Sequence, residues 1–246
     1  MGKKSNSQNK NSLNLINLKH QELLLASYTK STEFSLDQSD GLILLWSLAM
    51  RKAPEFTFTC QTEITSATFH KYNPKLVIGT TYTGQIMIWD TRGKSLPVQK
   101  TPPGGKYHSH PIYCLGVNGS INSHNIITVS NNGVLYTWSG NNLHKPTKKI
   151  EIKTKKRRTG DKATDNISTF QSNGCDDLGA ICMATSEVDN NSVLIGTDDS
   201  DIYQVSLNSG NNDATDNIVE VFRKHNGPIT SIDVHPGDSH KSSNVY

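Results

Sequence analysis

The sequence predicts an all-β fold, a propeller of repeated four-stranded blades, and three observations carry that expectation. The chain of 246 residues has 34% apolar and 19% charged residues, both low for a globular protein, with turn-forming Asn, Ser, Thr and Gly in their place. Three short apolar runs end on tryptophan: "SDGLILLW" at Trp46, "YTGQIMIW" at Trp89 and "NNGVLYTW" at Trp138. Each carries a glycine five residues before the indole, and the tryptophans recur at intervals of 43 and 49 residues, a blade-sized period.

The first strand of each unit precedes a glycine turn by two strands. "EITSATFH" (63–70), "PIYCLGV" (111–117), "GAICMAT" (179–185) and "GPITSIDVHP" (227–236) hold this place. The second strands are "ELLLASY" (22–28), "KLVIGT" (75–80), "NIITVS" (125–130) and "SVLIGT" (192–197). The tryptophan runs are the third strands. A fourth copy, "GTDDSDIYQVSL" at 196–207, aligns with "GTTYTGQIMIWD" at 79–90 and puts Ser206-Leu207 where Trp89-Asp90 stand. The weaker runs "PEFTFTC", "LPVQKT", "TKKIEIK" and "NIVEVF" close the units. Four short strands every 40 to 50 residues, separated by Gly and Asn turns, make a blade.

The third strands are apolar at nearly every position. A sheet with one wet face would alternate, whereas strands covered on both sides read as continuous apolar runs. Blades sandwiched between blades supply that cover. Ile86 and Ile88 are expected to face one neighbour, and Met87 and Trp89 the other. A helix over "GLILLW" is the competing reading, and its short length and bounding glycine turn argue against it.

The resulting layout has a polar, disordered segment over 1–11 and a partial propeller over 12–246. Blades are expected at roughly 12–61, 62–102, 108–153 and 178–223, with the start of another at 225–246 and a basic, polar inter-blade loop at 154–177. About four blades and the start of a fifth leave the ring incomplete in this chain, which predicts exposed apolar flanks and poor solubility.

No stretch approaches the roughly 20 apolar residues of a membrane span, so no membrane association is expected. The N-terminal "MGKKSNSQNK" lacks a signal-peptide core, and Asn6 departs from the myristoylation pattern, so a cytosolic chain is expected. Cys60, Cys114, Cys175 and Cys182 show no CxxC spacing and read as reduced thiols, mostly buried.

The arrangement resembles a WD-repeat (WD40-type) β-propeller. The runs "FTCQTEITSATFHKYNPKLVIGTTYTGQIMIWDTR", "HSHPIYCLGVNGSINSHNIITVSNNGVLYTWS" and "HNGPITSIDVHP" further resemble the C-terminal propeller of cytoplasmic dynein intermediate chains. The similarity covers roughly 20–143 and 179–238, and its most specific part runs from Cys60 to Pro102. It implies a non-catalytic scaffold subunit of a minus-end-directed microtubule motor. Such a subunit grips the dynein heavy chain through its propeller, joins other dynein subunits in the full-length protein, and resides in the cytoplasm on the cytoskeleton. It implies no cofactor. The resemblance also gives His110 and His225 the place of the histidine that WD repeats carry before the innermost strand. A generic WD-repeat adaptor, of the ubiquitin-ligase receptor or chromatin type, is the alternative.

Between Lys145 and Arg158 lie eight basic residues and one acid, a net +7 in a chain of net +3. The run, with Lys155, Lys156, Arg157 and Arg158 at its heart, reads first as a solvated loop and second as an electrostatic patch for an acidic partner such as the microtubule surface. It has no interleaved aromatics for base stacking, which argues against nucleic acid. His108 and His110 form an H-x-H pair without further ligands, so no metal site is expected. Asp90 and Asp233 read as turn caps. No nucleophile elbow, P-loop or dinucleotide fingerprint is present, which argues against an enzyme. Tyr72, Tyr82, Tyr107 and Tyr113 are candidates for the propeller rim.

Overall fold

The structure, a computed structural model, describes residues 12–16, 23–29, 41–49, 52–102, 107–140, 142–153, 178–186, 189–208, 217–223 and 225–234. The segments 1–11 and 154–177, including the basic Lys155–Arg158 run, lie outside the described residues, as does Cys175. Every regular element among the described residues is a strand, and no helix is long and apolar enough to cross a membrane.

Among the described residues, sixteen strands form four antiparallel four-stranded sheets with no crossover. Blade 1 comprises β1 (Ser12–Ile16), β2 (Leu23–Thr29), β3 (Gly41–Ser47) and β4 (Phe56–Cys60). Blade 2 comprises β5 (Ile64–Phe69), β6 (Leu76–Thr81), β7 (Ile86–Asp90) and β8 (Gln99–Lys100). Blade 3 comprises β9 (Ile112–Gly119), β10 (His124–Ser130), β11 (Val134–Ser139) and β12 (Asn142–Glu151). Blade 4 comprises β13 (Ala180–Thr185), β14 (Ser192–Thr197), β15 (Ile202–Ser206) and β16 (Ile218–Phe222). The first strands lie side by side, β1 against β5, β5 against β9 and β9 against β13, and so form the inner wall of an open propeller. The four sheets do not close a ring among the described residues.

The core is the set of gaps between blades. Leu25, Ile43, Leu45 and Phe58 of blade 1 pack on Ala67, Val77, Met87 and Trp89 of blade 2. Ile78, Ile86 and Ile88 of blade 2 pack on Ile112, Ile126, Tyr136 and Trp138 of blade 3. Cys114, Ile127, Val129 and Leu135 of blade 3 pack on Val193, Ile195, Tyr203 and Val205 of blade 4. The alternation expected along β7 is therefore observed: Ile86 and Ile88 face blade 3, while Met87 and Trp89 face blade 1. Each blade thus has a leading flank, which carries its tryptophan toward the preceding blade, and a trailing flank toward the next. Each interface removes a dozen or so large apolar side chains from water, at about 1.5–3 kcal/mol apiece as an upper estimate.

The ladder fixes the repeat more sharply than the residues do. Trp46 pairs with Leu24, Trp89 with Val77 and Trp138 with Ile126. In blade 4 the corresponding pair is Val193 with Val205. Val205, not Ser206, therefore stands at the tryptophan position, a one-residue correction to the alignment on Gly79-Thr80 and Gly196-Thr197. The hairpin turns explain the slip. Gly84 and Gly133 take left-handed φ of 78° and 76° after Thr81 and Ser130, and Ser200, at φ 70°, takes the same place after Thr197. One hydrogen bond recurs in this register: the turn amides of Tyr82, Asn131 and Asp198 donate to the carbonyls of Glu63, Pro111 and Gly179.

The size of the third-strand residue is matched across the ladder. The Trp89 ring lies over Gly79, where an added Cβ would come within 2.8 Å of it. In blade 4 the equivalent positions are the smaller Val205 and the larger Ile195, both at 0% exposure. The run "GPITSIDV" differs from expectation, since residues 228–234 form no ladder. Its Ile229 and Ile232 nonetheless cover the trailing flank of blade 4, beside Ile202 and Phe222.

Two substitutions separate buried from open indoles. Trp89 is at 0% exposure whereas Trp46 is half-buried. Trp89→Ala is expected to cost about 3–5 kcal/mol in urea unfolding at low protein concentration, and Trp46→Ala roughly half that, in line with the smaller area it buries. Equal losses would contradict the flank assignment.

Candidate functional site

The upper end of the propeller carries the β6–β7, β10–β11 and β14–β15 turns and the loops that link blades. The lower end carries the turns after β5, β9 and β13. Histidines organise both ends.

At the upper end of blade 3, His108 is buried, and its Nε2 lies 2.8 Å from Thr128 Oγ1 in β10. Trp138 Nε1–H donates to the same oxygen at 3.0 Å. One hydroxyl thus joins the inter-blade loop, the second strand and the indole of the third. Burial pushes the His108 ring down from 6.5 to about 3, so it is neutral at physiological pH. This corrects the expectation for His110, which is exposed and meets only Ser109 Oγ, at 3.0 Å. His225 is likewise exposed. Its spacing to Pro228 equals that of His108 to Pro111, so His225, not His110, is the counterpart of the structural histidine. The sequence held that H-x-x-P signal, obscured by the adjacent H-x-H.

The other blades lack this polar triad. Thr128 is replaced by Ala26, Gly79 and Ile195 at matching ladder positions, and Trp89 Nε1 is buried without an acceptor among the described residues. Thr128 therefore serves a tryptophan that has space beside it for a hydroxyl, while Gly79 gives up the hydroxyl to let the Trp89 ring sit closer.

At the lower end, between blades 2 and 3, sequence reading overlooked a second histidine group. His70 Nδ1 accepts the amides of Tyr72 at 3.2 Å and Asn73 at 3.0 Å, which caps the turn after β5. Its ring stands edge-on to His124 of β10, centroids 4.6 Å apart, and Tyr72 OH donates to the carbonyl of Gly119 across the blade boundary. Burial, and then the neighbouring His124, hold His70 down at about 4. The short spacing in "HKYN" signals the turn; the meeting with His124 comes only from the stacking of blades.

The remaining candidates are placed as follows. Asp90 Oδ1 accepts the Arg92 amide at 2.9 Å, and its carboxylate pairs with the Arg92 guanidinium at 2.7 Å, so it caps the turn as expected. Asp233 accepts the amide of Val234. Tyr72 and Tyr107 are occupied in inter-segment bonds, Tyr107 OH donating to His144 O at 2.8 Å. Tyr82 and Tyr113 remain 55% and 37% exposed. Both lie at the upper end, Tyr82 in the β6–β7 turn of blade 2 and Tyr113 near the start of β9 in blade 3. Cys60 Sγ donates to the Thr62 carbonyl at 2.9 Å, and the Cys114 and Cys182 thiols are pushed up by burial and thus protonated. No group of three or more His, Cys, Asp or Glu among the described residues could hold a metal ion. The arrangement pins the inter-blade loops and leaves Tyr82 and Tyr113 exposed at the upper end.

Two measurements test this geometry. Thr128→Val orphans two buried groups and is expected to cost about 1–3 kcal/mol, whereas Thr128→Ser retains most of the stability; equal effects would contradict the shared hydroxyl. The depressed values of His70 and His108 mean that the folded chain binds fewer protons than the unfolded one. Their contribution is complete above pH 6.5 and drains as pH falls from 6.5 toward 4. The urea midpoint is expected to fall across that window, and to fall less in the His70→Gln, His108→Gln double variant. An identical slope in both would count against the assignment.

No family model matches the chain. It is 34% identical over 219 residues to the cytoplasmic dynein 1 intermediate chain of Drosophila melanogaster. The match takes in 87% of this chain and spans 29% of that protein. In sequence and in fold, the chain is a partial WD-repeat propeller related to the cytoplasmic dynein intermediate chains.

Proposed function

We propose that this chain is a non-catalytic scaffold subunit of the cytoplasmic dynein microtubule motor, which binds the heavy chain through its propeller and supports minus-end-directed transport. The observation that carries this reading is the length of the match, 87% of the chain at 34% identity. A similarity confined to blade periodicity would touch the buried alternation alone, whereas this one runs through turns and loops as well. The geometry fits a scaffold. Packed blades hold the loops in fixed relation, and the exposed Tyr82 and Tyr113 give the upper end the aromatic character common in protein interfaces. Three of the groups that could otherwise move protons are committed to structure: His70 and His108 are buried and neutral, and Asp90 is held by Arg92.

The same reading places the chain in the cytoplasm, on the cytoskeleton, among other dynein subunits. The basic run around Lys155, Lys156, Arg157 and Arg158 would add a salt-sensitive contact with the acidic microtubule surface.

Affinity capture of the tagged full chain from cells is expected to recover dynein heavy chain, with less recovered after Tyr82→Ala, Tyr113→Ala. Recovery of ubiquitin-ligase or chromatin components in place of the motor would overturn the proposal. For the basic run, glutamine at all four positions is expected to leave the melting curve unchanged and to reduce microtubule co-sedimentation at low salt. Unchanged co-sedimentation would remove that contact from the account.

A further inference from the structure

We propose that the lower end of blades 2 and 3 is a docking surface for an acidic segment of a partner protein, one with aliphatic residues set among its carboxylates. Charge is divided sharply between blades. Residues 64–153, which span blades 2 and 3, hold ten lysines and arginines against two acids, Asp90 and Glu151. Residues 178–223, which span blade 4, hold eight acids against Arg223 alone. The fold gathers part of the basic excess at one end. Lys71 and Lys75 lie on the turn after β5, and Arg92 and Lys94 on the turn after β7. The amide of Thr91 donates to the carbonyl of Lys75 at 2.8 Å, so the two turns adjoin. Both oxygens of Asp90 are engaged by the Arg92 guanidinium, at 3.0 and 2.7 Å. Lys75 and Lys94, both exposed, therefore carry positive charge beyond what Asp90 offsets. Among the described residues, the lower end of blade 1 adds one base, Lys52, and one acid, Glu55. The basic surface ends at blade 4, whose lower turn carries Asp189.

Apolar contact is built into the same surface. Tyr72 OH donates to the Gly119 carbonyl, which sets the turn after β9 beside the lysine turn of blade 2. That turn holds Ile121 at 70% exposure. It is fixed by Ser120, whose amide donates to Ser123 O at 2.8 Å and whose Oγ accepts the Ser123 amide at 3.3 Å. Leu96, two residues past Lys94, is 62% exposed. A fixed aliphatic knob beside lysines suits a run of carboxylates with apolar side chains between them. Long-range attraction draws the segment in, and the knob sets its register. A nucleic acid would need free rings for stacking, whereas Tyr72 is half-buried with its hydroxyl bound to Gly119. A bilayer would need a continuous apolar face, whereas Ile121 and Leu96 stand on turns of different blades. The surface is at the opposite end from Tyr82 and Tyr113, so it does not rest on the heavy-chain reading.

Fluorescence anisotropy with the full chain tests the proposal, with labelled peptides of repeated Glu-Glu-Leu and of Glu alone as probes. The basic run at 155–158 is replaced by glutamine throughout, so that it does not compete for the probe. The Glu-Glu-Leu peptide is expected to bind at low salt, to weaken as salt is raised, and to bind more tightly than Glu alone. Lys75→Glu, Lys94→Glu is expected to weaken that binding about tenfold, and Ile121→Ser to bring it to the level of Glu alone. Glutamine at the two lysines serves should the charge reversal fail to fold by circular dichroism. No binding of the Glu-Glu-Leu peptide, equal affinity for the two peptides, or unchanged binding by the lysine and Ile121 variants would each overturn the proposal. So would tighter, lysine-dependent binding of oligothymidylate or of phosphatidylserine vesicles.

Discussion

The structure depends on one physical requirement: the apolar faces of its sheets must be covered by neighbouring sheets, as both faces of blades 2 and 3 are. A four-stranded antiparallel sheet is short of internal contacts, and its hydrogen bonds hold strands in register without removing apolar surface from water. Here the burial lies between blades, in clusters that each draw from two consecutive sheets. Stability is then approximately a sum over boundaries, as in other stacked repeats. Trp46, whose face meets no other sheet among the described residues, is the most open of the three tryptophans.

Polar groups refine this stacking without replacing it. The hydroxyl of Thr128 receives the Trp138 N–H and meets His108, which pins the loop between blades 2 and 3 to the middle of blade 3. His70 and Tyr72 do the same at the opposite end through a capped turn and a bond to Gly119. Both histidines work as neutral rings, so acid acts on two fastenings of blade 3 at once. The upper and lower ends are thereby fixed relative to each other, and a scaffold that presents a broad surface to a partner needs that rigidity.

Much of the fold was legible because its signals are local. The strand period and the unbroken apolar character of "IMIW" together place Ile88 and Trp89 on opposite covered faces. What was misread turned on registers that short patterns leave open. Gly196-Thr197 looks like Gly79-Thr80, yet the left-handed residue of the turn sets the frame, and Ser200 adopts it without being a glycine. The choice between His108 and His110 depends on Thr128, which lies twenty residues away along the chain and beside His108 only once the blade has formed. The His70–His124 pair arises from different blades and has no local signature at all. Interaction surfaces were the least legible, because an exposed tyrosine has the same one-letter record as a buried one.

Hydrogen–deuterium exchange of the backbone amides tests the central claim most directly. If burial between blades holds the sheets, β6, β7, β10 and β11 share the slowest exchange and open together, while β2 and β3, covered on one side, exchange faster. Four sheets exchanging independently, or blade 1 as well protected as blades 2 and 3 in a monomeric sample, would contradict it.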